Sequence, residues 1–529
     1  MSGIFKEPEV KNVSRKRRFF QLLAILVLGV VAALLVEHWR GERALRAWKE
    51  QKLAAGEIFD PVKLWPAPST NAALFSNQMA TALAQMPKGL ERFAGYVSGW
   101  SSDESGLVSR GTGQAKPVPI SYNVESTWQE LGAALKASEP ALKSIRQLMK
   151  NPPRSYGRDI NQRLDELLVP NFIGTRRCAQ SLSAAAICNL HQNNLVPALE
   201  NLEALQGCAR LNADEPALVN YMIRVAVLGL ADSAGWDALQ EEGWTDAQLV
   251  RFQHACEAND LFPQLPSVIA AERLARVHSI HWLASHGYRE WARLYSDVLK
   301  SFGAKPSQRD GAPWVGPWRQ FVFNPTWSYA WRAQEELEYL QFSQRDLDIA
   351  RDAVRRGAWS DLKNGVAALR RSYRRPPAAW RFYQKLPLQE WVNAMVGDKP
   401  SAEPECPYPD YSRAWLATAR TVNLHEMLLT AIALKRFQLL NGRMPGSLVE
   451  LVPAYLQRIP RDIVDGQPLR YRTGAKDSFV LYSIGEDAKD DGGDSRPADG
   501  TARRYKDGYG FGRDWVWPQI ATPIRTASK

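Results

Sequence analysis

Apolar residues follow two rhythms along this chain: one unbroken run near the N-terminus, then three-to-four spacing through most of the remaining length. The run, Phe19 to Val36, is eighteen residues long and holds one polar side chain, Gln21. At 1.5 Å per residue a helix of that length covers about 27 Å, close to the hydrocarbon thickness of a bilayer. The segment is longer than the core of a signal peptide, and no small-x-small cleavage site follows at Leu34-Leu35-Val36-Glu37. The pattern predicts a basic cytoplasmic tail over 1–18, a transmembrane helix over 19–36 and a stalk helix over 37–56. Leu45, Trp48 and Leu53 mark the apolar face of that stalk, and Gly56 its stop.

Pro61, Pro66 and Pro68 open a linker and mixed region over 57–122, glycine- and serine-rich from 91 onward. Helical spacing then governs a domain over 123–396, in segments 125–149, 159–168, 174–191, 194–211, 215–240, 246–259 and 265–286. Leu182, Ala185, Ala186 and Leu190, with Leu195, Ala198, Leu199, Leu202 and Leu205, would line the inside of a helical hairpin. His191-Gln192-Asn193 would close it, in the manner of a tetratricopeptide hairpin. No fixed repeat period accompanies it, so the middle reads as an irregular α-solenoid. A tryptophan- and proline-rich crossing at 303–327 leads to helices over 328–373 and 385–395. A linker over 397–410 carries Pro400, Pro404, Pro407 and Pro409.

Past the linker, a long helix with Leu424, Leu428, Ile432 and Leu439 should end at Asn441-Gly442. A short helix around Ser447 to Val452 comes next, then strands over Leu469 to Arg472 and Phe479 to Ser483 with Gly474 in the turn. The pattern ends on Ile484-Gly485-Glu486-Asp487-Ala488-Lys489-Asp490-Asp491-Gly492-Gly493-Asp494. The fold class is therefore mainly α, with a small α+β module over 411–529.

Asn441, Gly442, Arg443 and Pro445, the Pro460 and Asp462 step, Gly466, Pro468 and Tyr471, and the closing Leu481, Tyr482, Ser483, Gly485, Asp487, Lys489, Gly492 and Gly493 resemble the head of the major pseudopilin of type II secretion systems. The resemblance spans about 90 residues. The order of anchor, helical middle and this module also resembles large membrane-anchored proteins of Planctomycetes and Verrucomicrobia, a likeness that implies no activity. In pseudopilins the last loop binds calcium, and interleaved acids and glycines suit the six to eight oxygens that Ca²⁺ takes. Carried over, the resemblance implies Asp487 and the Ile484 carbonyl as ligands, with Asp494 or Asp514 as the second carboxylate. Ser495 to Arg513 reads as an insertion that puts this second ligand in doubt. The anchor departs from the pilin pattern too. Arg18-Phe19-Phe20-Gln21-Leu22 lacks the processed glycine and the glutamate five residues on, so a permanent anchor is expected in place of assembly into a fibre.

Charge adds orientation. Arg15, Lys16, Arg17 and Arg18 abut the apolar run, against Arg40, Arg43, Arg46, Lys49 and Lys52 spread beyond it. The tight cluster favours an N-terminus inside, which implies a single-pass protein of the bacterial inner membrane with its bulk in the periplasm. The net charge of +11 comes from 67 basic residues dispersed among 56 acidic ones, unlike the concentrated basic face of a nucleic-acid binder. Arg370, Arg371, Arg374 and Arg375 read as a solvated helix end. Cys178, Cys188, Cys208, Cys256 and Cys406 lack the spacing of a metal site, and permit a disulfide without naming its partners.

Catalytic motifs are sparse. His425-Glu426 opens like a zinc-protease motif, but Leu429 stands where the second histidine belongs. His278 and His281 are one helical turn apart, with His286 beyond, and Glu272 is their one neighbouring acid in sequence. Glu335, Glu336 and Glu338 lie among Trp327, Tyr329, Trp331 and Tyr339, as in a glycosidase with aromatic platforms. Neighbouring acids on one helix diverge, however, where glycoside hydrolysis needs two facing carboxylates. The sequence therefore leans toward an interaction or scaffold protein, with a protein or peptide partner on the helical surface. An envelope glycan hydrolase using acids near 314–340 is the alternative.

Overall fold

The computed structural model describes residues 10–86, 100–102, 108–110, 128–157, 172–286, 324–373, 406, 408–474, 478–494 and 513–517. In chain order the elements are α1 Val10–Ala54, α2 Ala72–Gln85, an antiparallel ribbon of β1 Trp100–Ser102 and β2 Val108–Arg110, α3 Trp128–Met149, α4 Phe172–His191, α5 Leu195–Cys208, α6 Leu218–Leu239, α7 Asp246–Glu257 and α8 Leu265–His286. After a π-turn at Trp327–Trp331 come α9 Arg332–Arg356, α10 Trp359–Ser372, α11 Ser412–Asn441, β3 Arg470–Thr473, β4 Phe479–Ser483 and β5 Trp515–Val516. The structure is mainly helical, and periodicity located α3 to α8 and α11 to within a few residues, but α2 forms inside the region read as linker and α1 begins at Val10, within the segment read as a tail. The segment read as one helix over 328–373 breaks at Gly357, whose φ is 67°. The helices expected over 159–168 and 385–395, and most of 303–327 and 397–410, lie outside the described residues.

The chain divides into two compact units: Met1–Phe59 with Arg273–Gln344 and Arg370–Tyr408, and Asp60–Glu272 with Arg345–Leu369 and Pro409–Lys529. In the first, α1 is a single helix about 68 Å long. It is long and apolar enough to cross a membrane, and none of its apolar stretch is buried. From the end of the apolar stretch onward one face packs. Leu34 meets Trp327, Ala330 and Trp331, and Leu45 is buried with Ala333, Leu340, Trp48, Phe59, Val277 and Leu337. Leu53, expected on that face, is exposed instead, because the neighbours that cover Leu45 do not extend to it.

The apolar contacts are stitched by charge. Glu336, whose side chain is fully buried, takes Lys49 Nζ at 2.5 Å and His281 Nε2 at 2.7 Å, with Arg332 at 3.4 Å. Arg332 also reaches Glu42 at 2.6 Å, and Gln334 donates to Glu37. Burial alone would raise the Glu336 carboxyl. Hydrogen bonds from His281 and Lys49 outweigh it and hold the group below the usual carboxylate range. On α8, Arg273 donates to Gln344 Oε1 of α9 at 2.8 Å and to the Ile58 carbonyl at 3.0 Å.

The second unit has one continuous core. The hairpin of α4 and α5 buries every residue assigned to its inner face except the half-buried Leu195. Asn193, at φ 59°, makes the left-handed turn that asparagine tolerates. The buried residues of α6 lie all round the helix, and it packs against α4, α5 and α11, as a helix at the centre of a core must. Gly235 lets α11 come close: a Cβ there would lie 2.9 Å from Leu428. Gly442, at φ 67°, caps α11 in the left-handed conformation, where the sequence placed the stop.

Strands β3 and β4 pair antiparallel with Tyr471 opposite Leu481, and β5 adds a third strand on β4. The segment read as a separate module, 411–529, contributes Leu428, Ile432, Leu481 and Trp515 to the same core as α4–α7. The main hydrophobic face of α11 is therefore satisfied by the middle helices as well as by the small sheet.

Candidate functional site

A cleft of about 490 Å³ opens beside α11. Val422, His425, Glu426 and Leu429 recur at three and four positions on that helix, and so form one wall. Glu257, Asn259 and Asp260, at the end of α7, form the second. Leu456, Gln457, Arg458 and Pro460, in the turn before the sheet, close the third.

His425 anchors the back of the cleft. Its Nδ1 lies 2.8 Å from Asp232 Oδ1 on α6, and its Nε2 lies 3.0 Å from the Cys256 carbonyl on α7. Both partners are acceptors, so both ring nitrogens must carry protons. Burial works against that charge. The Asp232 carboxylate and the Cys256 carbonyl overcome it and raise the imidazolium pKa to about 9. The imidazolium thus pins α6, α7 and α11 together and has no free nitrogen to act as a base.

The rim carries the exposed charge. Glu426 Oε1 lies 2.5 Å from Arg458 Nη2. Glu257 accepts from Gln253 at 2.8 Å and faces His254 at 3.2 Å. The cleft partly desolvates Asp260 and raises its carboxyl, with the Arg458 charge opposing. Three carboxylates thus face one guanidinium across this rim.

The other predicted groups are placed elsewhere. Glu335 accepts from Trp327 Nε1 at 2.8 Å while Glu336 is buried in its basic cluster, so the adjacent acids do diverge. His281 meets Glu336, an acid distant in sequence, and His286 stacks on Trp282.

The calcium ligands implied by resemblance are not gathered into one donor set. Asp487 is exposed, and its Oδ1 accepts the Lys489 amide two residues on. Asp494 lies 3.7 Å from Arg513. Asp514 is buried, and its oxygens accept the amides of Asp491, Gly493 and Asp494. The Ile484 amide donates to Asp462. Among the described residues no three histidine, cysteine or acidic side chains stand where they could hold a metal ion. Asp514 instead closes the loop by accepting these three amides. Asp462 holds the module from within, accepting from the Val464 and Ile484 amides, Ser483 and Arg470.

Sequence reasoning singled out His425-Glu426 but missed Asp232, Glu257, Asp260 and Arg458. One signal was present. Asp232 directly follows the apolar run Val225 to Ala231, and a charge inside a buried helix needs a partner.

No known protein family matches the chain, nor does any curated protein or solved structure.

Proposed function

We propose that this is a single-pass, membrane-anchored interaction protein whose helical unit stands outside the cytoplasm and receives an extended, basic segment of a partner protein in the acidic cleft beside His425. The carrying observation is the division of labour in that cleft. Its histidine is doubly engaged by acceptors, while Glu257, Asp260 and Glu426 line an opening about 490 Å³ in volume. Such a site suits recognition by charge complementarity more than proton transfer, which needs a group near its pKa with a free lone pair. The locked stalk supports the same reading, since salt bridges along α1 hold the anchored helix in a fixed frame.

The test uses the full chain in lipid nanodiscs with fluorescent eight-residue peptides that differ in charge alone. Arginine- and lysine-bearing peptides should bind, more weakly as salt rises. The paired change Asp260→Asn with Glu426→Gln should weaken binding roughly tenfold, about 1.4 kcal/mol. Equal binding of acidic peptides would overturn the reading. So would release of sugars from peptidoglycan by the purified chain, which would favour the hydrolase.

A further inference from the structure

Four of the five cysteines are buried in the second unit, and two of them meet. Cys178 Sγ on α4 lies 3.4 Å from Cys208 Sγ at the end of α5. Cys188 instead takes the Gln192 amide at 3.6 Å, and the Cys256 carbonyl serves His425. The meeting follows from the hairpin. Cys178 and Cys208 are equidistant in sequence from Asn193, whose left-handed turn reverses the chain. An antiparallel helix pair with short-turn register brings such positions face to face. The turn closes one end of the hairpin and the two sulfurs face each other at the other. A disulfide requires a separation of about 2.05 Å, so closure asks the sulfurs to approach by roughly 1.4 Å, within reach of small side-chain rotations.

We propose that Cys178 and Cys208 are joined by a disulfide in the cell, clasping the open end of the α4–α5 hairpin. The inference rests on the extracytoplasmic reading above, because such bonds persist in oxidising compartments. The oxidant is a protein disulfide of the exchanging class. One cysteine thiolate attacks a sulfur of that disulfide, forming a mixed disulfide and expelling the oxidant's second thiolate. The other cysteine's thiolate then attacks the chain's own sulfur, forming the intramolecular bond and releasing the oxidant as a dithiol. The chain loses two protons and two electrons, and the oxidant gains the electrons. Both thiols are wholly enclosed in the finished core, so exchange takes place while the hairpin is still open. The completed bond is then shielded from reductants.

The experiment quenches intact cells in acid, alkylates every free thiol in denaturant so that the buried Cys188 and Cys256 also react, and counts modified cysteines on the isolated full chain. Three of the five should be alkylated, and digestion should yield one linked species holding Cys178 and Cys208. Closing a loop of this length constrains the unfolded chain, so reductant in mild denaturant should lower the melting temperature by on the order of 10 °C. The double variant Cys178→Ala with Cys208→Ala should be insensitive to reductant, whereas cysteines that only fill space would leave wild type equally insensitive. Five alkylated cysteines would overturn the proposal. A Gln457→Cys reporter in the double variant, probed with a membrane-impermeant maleimide, then identifies the fault. Labelling from outside would leave the location standing and refute the bond alone. Exclusion of the label would refute the location, and with it the oxidant on which the bond depends.

Discussion

One buried charge in each unit, Glu336 in the first and His425 in the second, meets the same problem in opposite ways. In the first, a carboxylate is buried, Glu336, and it is surrounded by Lys49, His281 and Arg332, whose own side chains still reach solvent. In the second, a cation and its partner are both buried: His425 and Asp232 are wholly enclosed, with the Cys256 carbonyl as the third member. The two arrangements differ in what remains when one member is lost. Bases that reach water can rehydrate, whereas a stranded interior imidazolium cannot.

The difference is sharpest at Asp232. Asp232→Ala strands the His425 cation and should cost about 3–5 kcal/mol, seen as early unfolding of α6 and α11 by hydrogen exchange. Replacing both residues by leucine should recover more than half of that loss, since an apolar pair leaves no buried charge. A double variant as unstable as the single one would mean the pair does more than balance charge.

The next largest effect is set by pH, with opposite sign in the two units. The folded pKa of His425, about 9, lies above the ordinary value of 6.5, so the folded state binds more protons between those values. Its contribution is complete below about pH 6.5 and is lost as pH rises through 9, amounting to about 3 kcal/mol. Glu336 is held below its ordinary value, so its contribution is present at neutral pH and disappears as pH falls through the lowered pKa. Unfolding followed by exchange should show alkali loosening α6 and α11 first and acid loosening α9 first. Loosening in the same order at both extremes would sink this contrast.

Glu336→Gln should cost less than Asp232→Ala, roughly 1–3 kcal/mol, because Lys49 and Arg332 can turn to water. It should also abolish the acid weakness of that unit.

The smallest effects lie in the C-terminal loop. Asp514→Asn weakens the acceptor of three amides and should cost about 1–2 kcal/mol, while Asp487→Asn, at an exposed turn, should stay within about 0.5 kcal/mol. Millimolar calcium should leave the melting temperature of the full chain unchanged. A calcium-dependent rise lost in Asp487→Asn would restore the metal site that the resemblance implied.

Much of the architecture was legible because helices are local. Three-to-four spacing placed α3 to α8 and α11, and Asn441-Gly442 placed the end of α11. The hairpin's inner face was named almost residue for residue. The cleft was not legible in the same way, because its walls come from residues far apart in sequence, such as Glu257, His425 and Arg458. The C-terminal loop was hard to read for a related reason. An acidic, glycine-rich run looks the same whether its carboxylates face an ion or backbone amides, and in Asp514 they face amides.

The sequence by itself determined the long apolar N-terminal helix, most of the later helices and two of the three strands of the small sheet, since hydrophobic period and cap residues act within a few positions of where they stand. Tertiary structure decided which charges are buried and which sulfurs meet. It also placed 411–529 in the same core as the middle helices. Those outcomes depend on long-range packing, which selects among partners that the chain order leaves equally available.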